Sequence, residues 1–331
     1  MGSVKISVCV PVFNAERYVE RCARSLFGQT MTDGVEFIFV DDGSPDASMD
    51  IVRRVAAEFP ALNVRLLAHG RNQGAAVARR TAVEAAAGDY IAYVDNDDWA
   101  EPEFLERLYA KAAEADADVV FSDTVYDYPR RSVVSPGRWA DGYPDMPIAA
   151  LLADDAIFLH GKLIRRGIFV ERPDCHAPAG LAYNDDTWVV VNVCAYARSF
   201  AHVAVALYHF NRCNAASQTR LSAARQFGDM ARFWELSTPL LARLNPDGRY
   251  SDAIDAARAD HKAHNMLYRH DYGLCRVYAP LWREFEMRHA GRMRRGKRLM
   301  LTLTHFRLWP LVWLYCRYAA WLQRREERRG L

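Results

Sequence analysis

A chain of 331 residues, with 51% hydrophobic and 25% charged residues, is long enough for one large domain or two ordinary ones. This composition excludes a disordered chain and a polytopic membrane protein. The formal net charge of only +2 gives no general reason to expect nucleic-acid binding. Seven cysteines without a Cys-x-x-Cys pair indicate reduced thiols, and therefore a catalytic body in the cytoplasm.

Apolar segments and helical segments alternate through the first part of the chain. Apolar runs at residues 4–10, 35–40 and 63–68 predict strands, and each is followed by a segment with helical periodicity. The run at residues 90–94 predicts a buried central strand, and residues 118–122 predict one more. Strands separated by helices of this length predict an α/β fold with a doubly wound, mainly parallel sheet over residues 1 to about 125.

Acidic clusters follow two of the predicted strands. Asp41 and Asp42 come after the second strand, and Asp95, Asp97 and Asp98 come after the central one. Open α/β sheets bind their ligands at the carboxyl ends of the strands. Carboxylates this close repel one another unless a cation lies between them, and a hard divalent ion such as Mg²⁺ or Mn²⁺ is the natural partner. The alternative is an acidic turn that caps the following helix.

Four motifs in the first hundred residues resemble, in order, those of family 2 glycosyltransferases. They are Ile-Ser-Val-Cys-Val-Pro-Val-Phe-Asn, Val-Asp-Asp-Gly-Ser, Arg-Asn-Gln-Gly-Ala-Ala-Val-Ala-Arg-Arg and Val-Asp-Asn-Asp-Asp-Trp. The resemblance implies a GT-A fold, a nucleotide-sugar donor, Mg²⁺ or Mn²⁺ as cofactor, and inversion at the anomeric carbon. Neither a Gly-x-Gly-x-x-Gly motif after the first strand nor a P-loop occurs, so a dinucleotide-binding or P-loop fold is not supported.

The resemblance also implies where the nucleotide binds. The nucleobase would lie between the loop containing Pro11, Phe13 and Asn14 and the side chain of Asp42, with Asp41 nearby. Phe13 would stack on the base. The alternative for Phe13 is an aromatic residue of the hydrophobic core.

The same resemblance implies a metal site after the central strand. Asp95 would face the ribose or the metal ion, Asp97 would coordinate the metal, and Asp98 would cap the next helix. Arg79 matches an arginine of the family that is usually followed by asparagine, whereas this chain has Arg80 there. The alternative for Arg79 is a solvated helix residue.

The second half of the chain contains a candidate catalytic base. Asn184-Asp185-Asp186 resembles the family's Glu-Asp pair, in which the aspartate is the base, and this favours Asp186. A shift of the alignment by one position would make Asp185 the base instead. An acidic helix start, favoured by the helix dipole, fits both residues equally well in isolation. Further similarities to the family lie at residues 160–163, 207–212 and 217–219.

The sequence therefore predicts an inverting glycosyltransferase of the bacterial surface-polysaccharide type. It would move a single sugar from a nucleotide-diphosphate sugar to a hydroxyl of a glycan or a lipid-linked acceptor, and the favoured donor is a UDP-sugar. One alternative is a sugar-nucleotide nucleotidyltransferase, which would normally have a glycine-rich basic loop after the first strand. The other is a non-catalytic, membrane-associated adaptor. A homo-oligomer is compatible with all three.

The predicted organisation has three parts. Residues 1–220 would form the GT-A domain, with a nucleotide-sugar part at 1–125 and an acceptor part at 126–220, and a helical region would follow at 221–298. The tail, residues 299–331, mixes aromatic residues with arginines, and its uninterrupted apolar run is shorter than the roughly 20 residues that a spanning helix needs. It therefore predicts a helix lying on the inner leaflet of an anionic membrane. The alternative is a helix packed on the catalytic domain or on a second subunit.

Overall fold

The computed structural model describes residues 3–136, 158–214 and 222–328, with backbone only from residue 322 onward. The chain divides into two compact units, residues 1–217 and 218–331. In its described residues the first unit contains a nine-stranded sheet with flanking helices, and the second unit is helical.

Four parallel strands form the amino-terminal half of the sheet. They are β1 (Ile6–Val12), β2 (Val35–Asp41), β3 (Asn63–Ala68) and β4 (Tyr90–Tyr93), in the order β3-β2-β1-β4. Helices α1 (Val19–Phe27), α2 (Ser48–Ala57) and α3 (Ala75–Ala85) connect them. All of β1 is buried because helices cover both faces of a parallel sheet, and this explains its unbroken apolar sequence. The predicted alternation of strands and helices is confirmed.

The remaining strands make the sheet mixed. They are β5 (Trp99–Ala100), β6 (Val119–Tyr128), β7 (Arg131–Ser135), β8 (Lys162–Arg165) and β9 (Phe200–Asn211). Strand β8 lies between β4 and β6 and is antiparallel to both, whereas β9 runs parallel to β6. Short β5 pairs antiparallel with β9, and β7 pairs antiparallel with β6. The parallel core predicted for the first 125 residues is thus extended by antiparallel strands.

Four further helical segments complete the first unit in its described residues. They are α4 (Phe104–Ala115), α5 (Arg166–Glu171), a 3₁₀ turn (Pro173–Cys175) and α6 (Asp185–Tyr196). The core beneath the sheet is aromatic: the ring of Phe27 contacts Phe37 and Phe39 with centroids 5.4 and 5.8 Å apart. Burial of each such ring is worth about 1.5–3 kcal/mol. This packing joins α1 to β2, and the pairing of β1 with β2 places Val12 opposite Asp41 at their carboxyl ends.

The second unit consists of helices. They are α7 (Ala223–Leu236), α8 (Thr238–Leu244), α9 (Ser251–Arg269), α10 (Tyr272–Tyr278), α11 (Glu286–Ala290), α12 (Arg295–His305) and α13 (Trp309–Arg328). Its core contains a buried ion pair between Lys262 and Glu286, and the ammonium group also donates to the carbonyls of Ala279 and Leu281. Among the helices described in either unit, none is long and apolar enough to span a bilayer.

Candidate active site

The loop after β1 forms one wall of the candidate site. Pro11, predicted from the sequence to lie in this loop, is buried within β1, and its carbonyl accepts a 2.8 Å hydrogen bond from the side-chain amide of Asn96, which joins the end of β1 to the acidic segment after β4. Phe13 is 43% exposed, so it is not a core aromatic. Asn14 adopts a left-handed conformation with φ of 49°, and its backbone N–H donates to Ser44 Oγ. An exposed ring beside the strand ends is available to stack on a ligand.

Asp41 and Asp42 have different environments although they are adjacent. The Asp42 carboxylate is buried and accepts hydrogen bonds from the backbone N–H groups of Gln73 (2.9 Å) and Gly74 (2.7 Å), while His69 Nδ1 lies 2.7 Å away. It therefore holds the loop that leads into α3. Asp41 is only partly buried, and one of its oxygens accepts from the Ser44 N–H. Of the two, Asp41 is the more accessible to a ligand.

The prediction that Asp98 caps the next helix is wrong. Asp98 is fully buried, and its carboxylate accepts from the Tyr208 hydroxyl (2.7 Å) and from the Asn211 N–H (2.8 Å), both at the end of β9. Helix α4 begins later, with Glu103 at its N-cap position. Burial and the neighbouring carboxylates of Asp97 and Asp95 raise the pKa of Asp98 well above its usual value.

The acidic segment after β4 offers oxygen donors suited to a divalent cation. Burial and the charge of Asp95 raise the pKa of Asp97 to about 6, and Asn214 Nδ2 donates to Asp97 at 2.7 Å. Ligand atoms of Asp95, Asp98 and His160 also lie within 4.8 Å of one another. Crowded carboxylates with raised pKa values gain from a nearby cation, and their hard oxygens match Mg²⁺ or Mn²⁺. The residues present therefore fit such an ion.

Arg79 connects this acidic segment to the candidate base. Its Nη2 lies 2.7 Å from Asp95 Oδ1, and its Nη1 lies 2.6 Å from Asp185 Oδ2 and 2.9 Å from Asp186 Oδ1. Arg79 is therefore not a solvated helix residue. Burial disfavours its charge, yet Asp186, Asp95 and Asp185 hold the pKa of Arg79 well above its usual value. One guanidinium thus joins carboxylates from the end of β4 and the start of α6.

Asp185 and Asp186 open α6 directly after Asn184, which has a φ of 73°. Arg79 donates a well-aligned hydrogen bond to Asp185. Asp186 Oδ1 forms the ion pair with Arg79, but it accepts no hydrogen bond from any residue that the structure describes. Burial raises the pKa of both carboxyls, against the opposing effect of Arg79. At Arg79, Asp186 is therefore held by charge alone, whereas Asp185 is held by a hydrogen bond as well.

Two residues that sequence reasoning gave no role lie at the centre of the site. The Tyr208 hydroxyl accepts from the Asp95 N–H at 3.2 Å and donates to Asp98, and the ring of His160 stacks on the Tyr208 ring. Both lie in segments that resemble family motifs, and that resemblance could have indicated from the sequence that they belong to the site. The similar segment at residues 217–219 lies outside the described residues.

A mixed sheet of this topology, with acidic side chains at the strand ends joined through Arg79 to the start of a helix, is the arrangement of a GT-A glycosyltransferase. Residues 7–170 match the family model described as "Glycosyl transferase family 2". The chain is 30% identical to EpsH of Bacillus subtilis over 274 residues, which cover 81% of this chain and 78% of EpsH. The chain therefore belongs to the family 2 glycosyltransferases.

Solved structures share the fold over nearly the whole chain. S. aureus TarS (residues 1–349, in complex with UDP) superposes with a TM-score of 0.67 at 18% identity, covering 99% of this chain and 92% of TarS. The mannosyltransferase PcManGT of Pyrobaculum calidifontis, in complex with GDP-Man and Mn²⁺, gives a TM-score of 0.56 at 16% identity, covering 95% and 88%. These likenesses support the GT-A fold with a helical carboxyl-terminal region.

Proposed function

We propose that this enzyme transfers a single sugar from a UDP-sugar to a hydroxyl of a glycan or lipid-linked acceptor, with inversion, in surface-polysaccharide synthesis. The observation that carries the proposal is the pair of carboxylate groups joined by Arg79. Asp95 and Asp97 lie at the end of β4, where a diphosphate and its cation would bind, and Asp186 lies at the start of α6, where its Oδ1 is ion-paired with Arg79 but accepts no hydrogen bond from a described residue.

Donor binding would use the ends of β1 and β2. The exposed ring of Phe13 is suited to stack on the nucleobase, with Pro11 at the end of β1 and Asn14 in the loop after it, and Asp41 would accept hydrogen bonds from the base or the ribose. The UDP bound to TarS supports a uridine donor. We assign Asp42 to holding the neighbouring loop, because its carboxylate already has three polar contacts.

Inversion requires a single displacement. The acceptor oxygen bonds to the anomeric carbon on the face opposite the diphosphate, the bond from that carbon to the diphosphate oxygen breaks, and UDP leaves. Asp186 takes the hydroxyl proton as the new bond forms, a contribution typically worth about 10²- to 10⁴-fold in rate. Asp95 and Asp97 would hold the divalent ion, which offsets negative charge on the departing diphosphate.

A donor screen tests the proposal. The enzyme is incubated with UDP-, GDP- and dTDP-sugars and a hydroxyl acceptor, with and without Mn²⁺ or Mg²⁺, and nucleoside diphosphate release is measured. We expect metal-dependent release of UDP, abolished in Asp97→Asn. Pyrophosphate release from UTP and a sugar 1-phosphate would instead identify a nucleotidyltransferase. Absence of turnover with every donor would favour the adaptor.

We also propose that the second unit places the enzyme on the cytoplasmic face of an anionic membrane. Helix α13 packs inward through Val312, Cys316 and Ala319. Its other side exposes large apolar side chains, at Leu311, Trp313, Leu314, Tyr318 and Trp321. Arg307, just before α13, and Arg317, within it, are also exposed. We call the surface formed by these apolar and arginine side chains the aromatic face of α13. Large exposed apolar patches mark interaction sites, and the arginines give this one the charge that anionic headgroups attract.

A further inference from the structure

His160 is a buried imidazole beside the acidic end of β4, and nothing in the proposed reaction uses it. It lies two residues before β8 and is only 5% exposed. Its Nδ1 has no hydrogen-bond partner among the residues that the structure describes. A buried polar atom without a partner costs about 1–3 kcal/mol, and a ligand bound to this nitrogen would remove that cost.

Aromatic packing fixes the orientation of this ring. Tyr208 stacks on it with centroids 4.9 Å apart and an angle of 9°, and Phe210 stacks with centroids 4.8 Å apart and an angle of 18°. The hydroxyl of the same Tyr208 contacts both the Asp95 N–H and the Asp98 carboxylate. One side chain therefore sets the position of the imidazole relative to both acids.

The three groups have the spacing and charge of a cation site. One ligand atom each from Asp95, Asp98 and His160 lies within 4.8 Å of the other two, so the three groups can converge on a single ion. A neutral imidazole is a common metal ligand in proteins, because one of its ring nitrogens has a free lone pair. Two acids and a neutral imidazole can together bind a cation.

We propose that Asp95, Asp98 and His160 together bind a divalent cation, and that His160 supplies a nitrogen ligand to it. The inference deepens the proposed function and rests on it for the role of the ion, because Asp95 also belongs to the donor site. Imidazole nitrogen binds Mn²⁺ better than Mg²⁺, which prefers oxygen. The site would therefore give the enzyme a preference for Mn²⁺.

The test uses Mn²⁺ alone, without nucleotide, on the full chain. Electron spin-echo spectroscopy of bound Mn²⁺ should show coupling to a ¹⁴N nucleus in the wild type. His160→Phe keeps an aromatic ring between Tyr208 and Phe210 but removes both nitrogens. We expect it to abolish the coupling and to weaken Mn²⁺ binding about 10- to 100-fold. Its affinity for Mg²⁺, measured by competition, should change by less than about threefold.

His160→Gln provides a second variant, and His176→Gln, outside the cluster, is the matched control that should leave both signals unchanged. Melting temperatures identify any variant that fails to fold, while the wild-type ¹⁴N signal requires no variant. Absence of that signal, or its persistence in His160→Phe, would overturn the proposal. Because no donor is present, this outcome is independent of the donor screen. Failure of UDP-sugar turnover would refute the proposed function even if nitrogen coupling were observed.

Discussion

Asp185 and Asp186, at the start of α6, differ in their hydrogen bonding to Arg79. Asp185 is hydrogen-bonded to Arg79, whereas Asp186 keeps an oxygen without a hydrogen bond in the described structure. Asp186→Asn preserves shape but removes the base, so we expect kcat to fall about 10²- to 10⁴-fold. Affinity for UDP should stay within about twofold, and Asp185→Asn should lose less activity. Steady-state kinetics and UDP titration test this, and a larger loss in Asp185→Asn would move the base to that residue.

The environment of Asp186 also predicts the pH dependence. Burial raises its pKa to about 7, against the lowering effect of Arg79. A general base acts in its deprotonated form, so kcat/KM should be constant above that pKa and fall about tenfold per pH unit below it. The measurement is a pH–rate profile at saturating metal. A profile that stays level down to pH 5 would show that this carboxyl is not the base.

The exposure of Phe13 predicts that its ring stacks on the nucleobase and does not belong to the hydrophobic core. Because its ring is 43% exposed, Phe13→Ala should leave the melting temperature nearly unchanged while weakening UDP binding. Stacking on a base is worth about 1–3 kcal/mol, or roughly 5- to 150-fold in Kd. Phe39→Ala, in a fully buried ring, is the control and should cost about 3–5 kcal/mol of stability. Unchanged UDP affinity in Phe13→Ala would remove the stacking assignment.

At the scale of elements, the amino terminus of α3 depends on a side chain from the end of β2. Both oxygens of Asp42 accept backbone N–H groups, so an amide cannot replace them without turning its own NH₂ toward a donor. Asp42→Asn should therefore lower the free energy of unfolding by about 1–3 kcal/mol. Asp41→Asn can keep its acceptor for the Ser44 N–H, and it should affect UDP affinity more than stability.

Chemical denaturation and UDP titration of the two variants separate these effects. Their positions are adjacent and the substitution is the same, so each serves as the control for the other. If Asp42→Asn were as stable as the wild type and bound UDP poorly, Asp42 would be the ligand-binding residue that the family resemblance implies.

Arg79 acts at the same scale, because it joins α3 to the end of β4 and the start of α6.

At the scale of the whole molecule, the aromatic face of α13 is the surface that we propose binds the membrane. We expect the full chain to sediment with vesicles containing phosphatidylserine at low salt and to be released as salt rises. Replacing Trp313, Leu314 and Trp321 by serine should abolish binding, and each of Arg307→Gln and Arg317→Gln should weaken it about fivefold. Val134→Ser, an exposed apolar residue of the first unit, is the control and should bind normally.

Protein that stays in the supernatant at low salt would contradict membrane binding. Light scattering would then show, from the molecular mass, whether a second copy of the chain covers the aromatic face of α13. A wild-type dimer that becomes a monomer in the serine variant would identify a second copy of the chain.

The sequence by itself determined the alternation of strands and helices, the family, and the acids at the ends of β2 and β4, because these depend on local periodicity and short contiguous motifs. Only the tertiary structure decided which residues those acids contact. Adjacency to a helix suggested that Asp98 is a cap, but its partners Tyr208 and Asn211 are more than a hundred residues away. The same holds for Arg79, whose link to Asp185 joins two helices remote in the chain. A polar side chain satisfies the partners that folding brings to it, and these long-range contacts leave no periodic signal in the sequence.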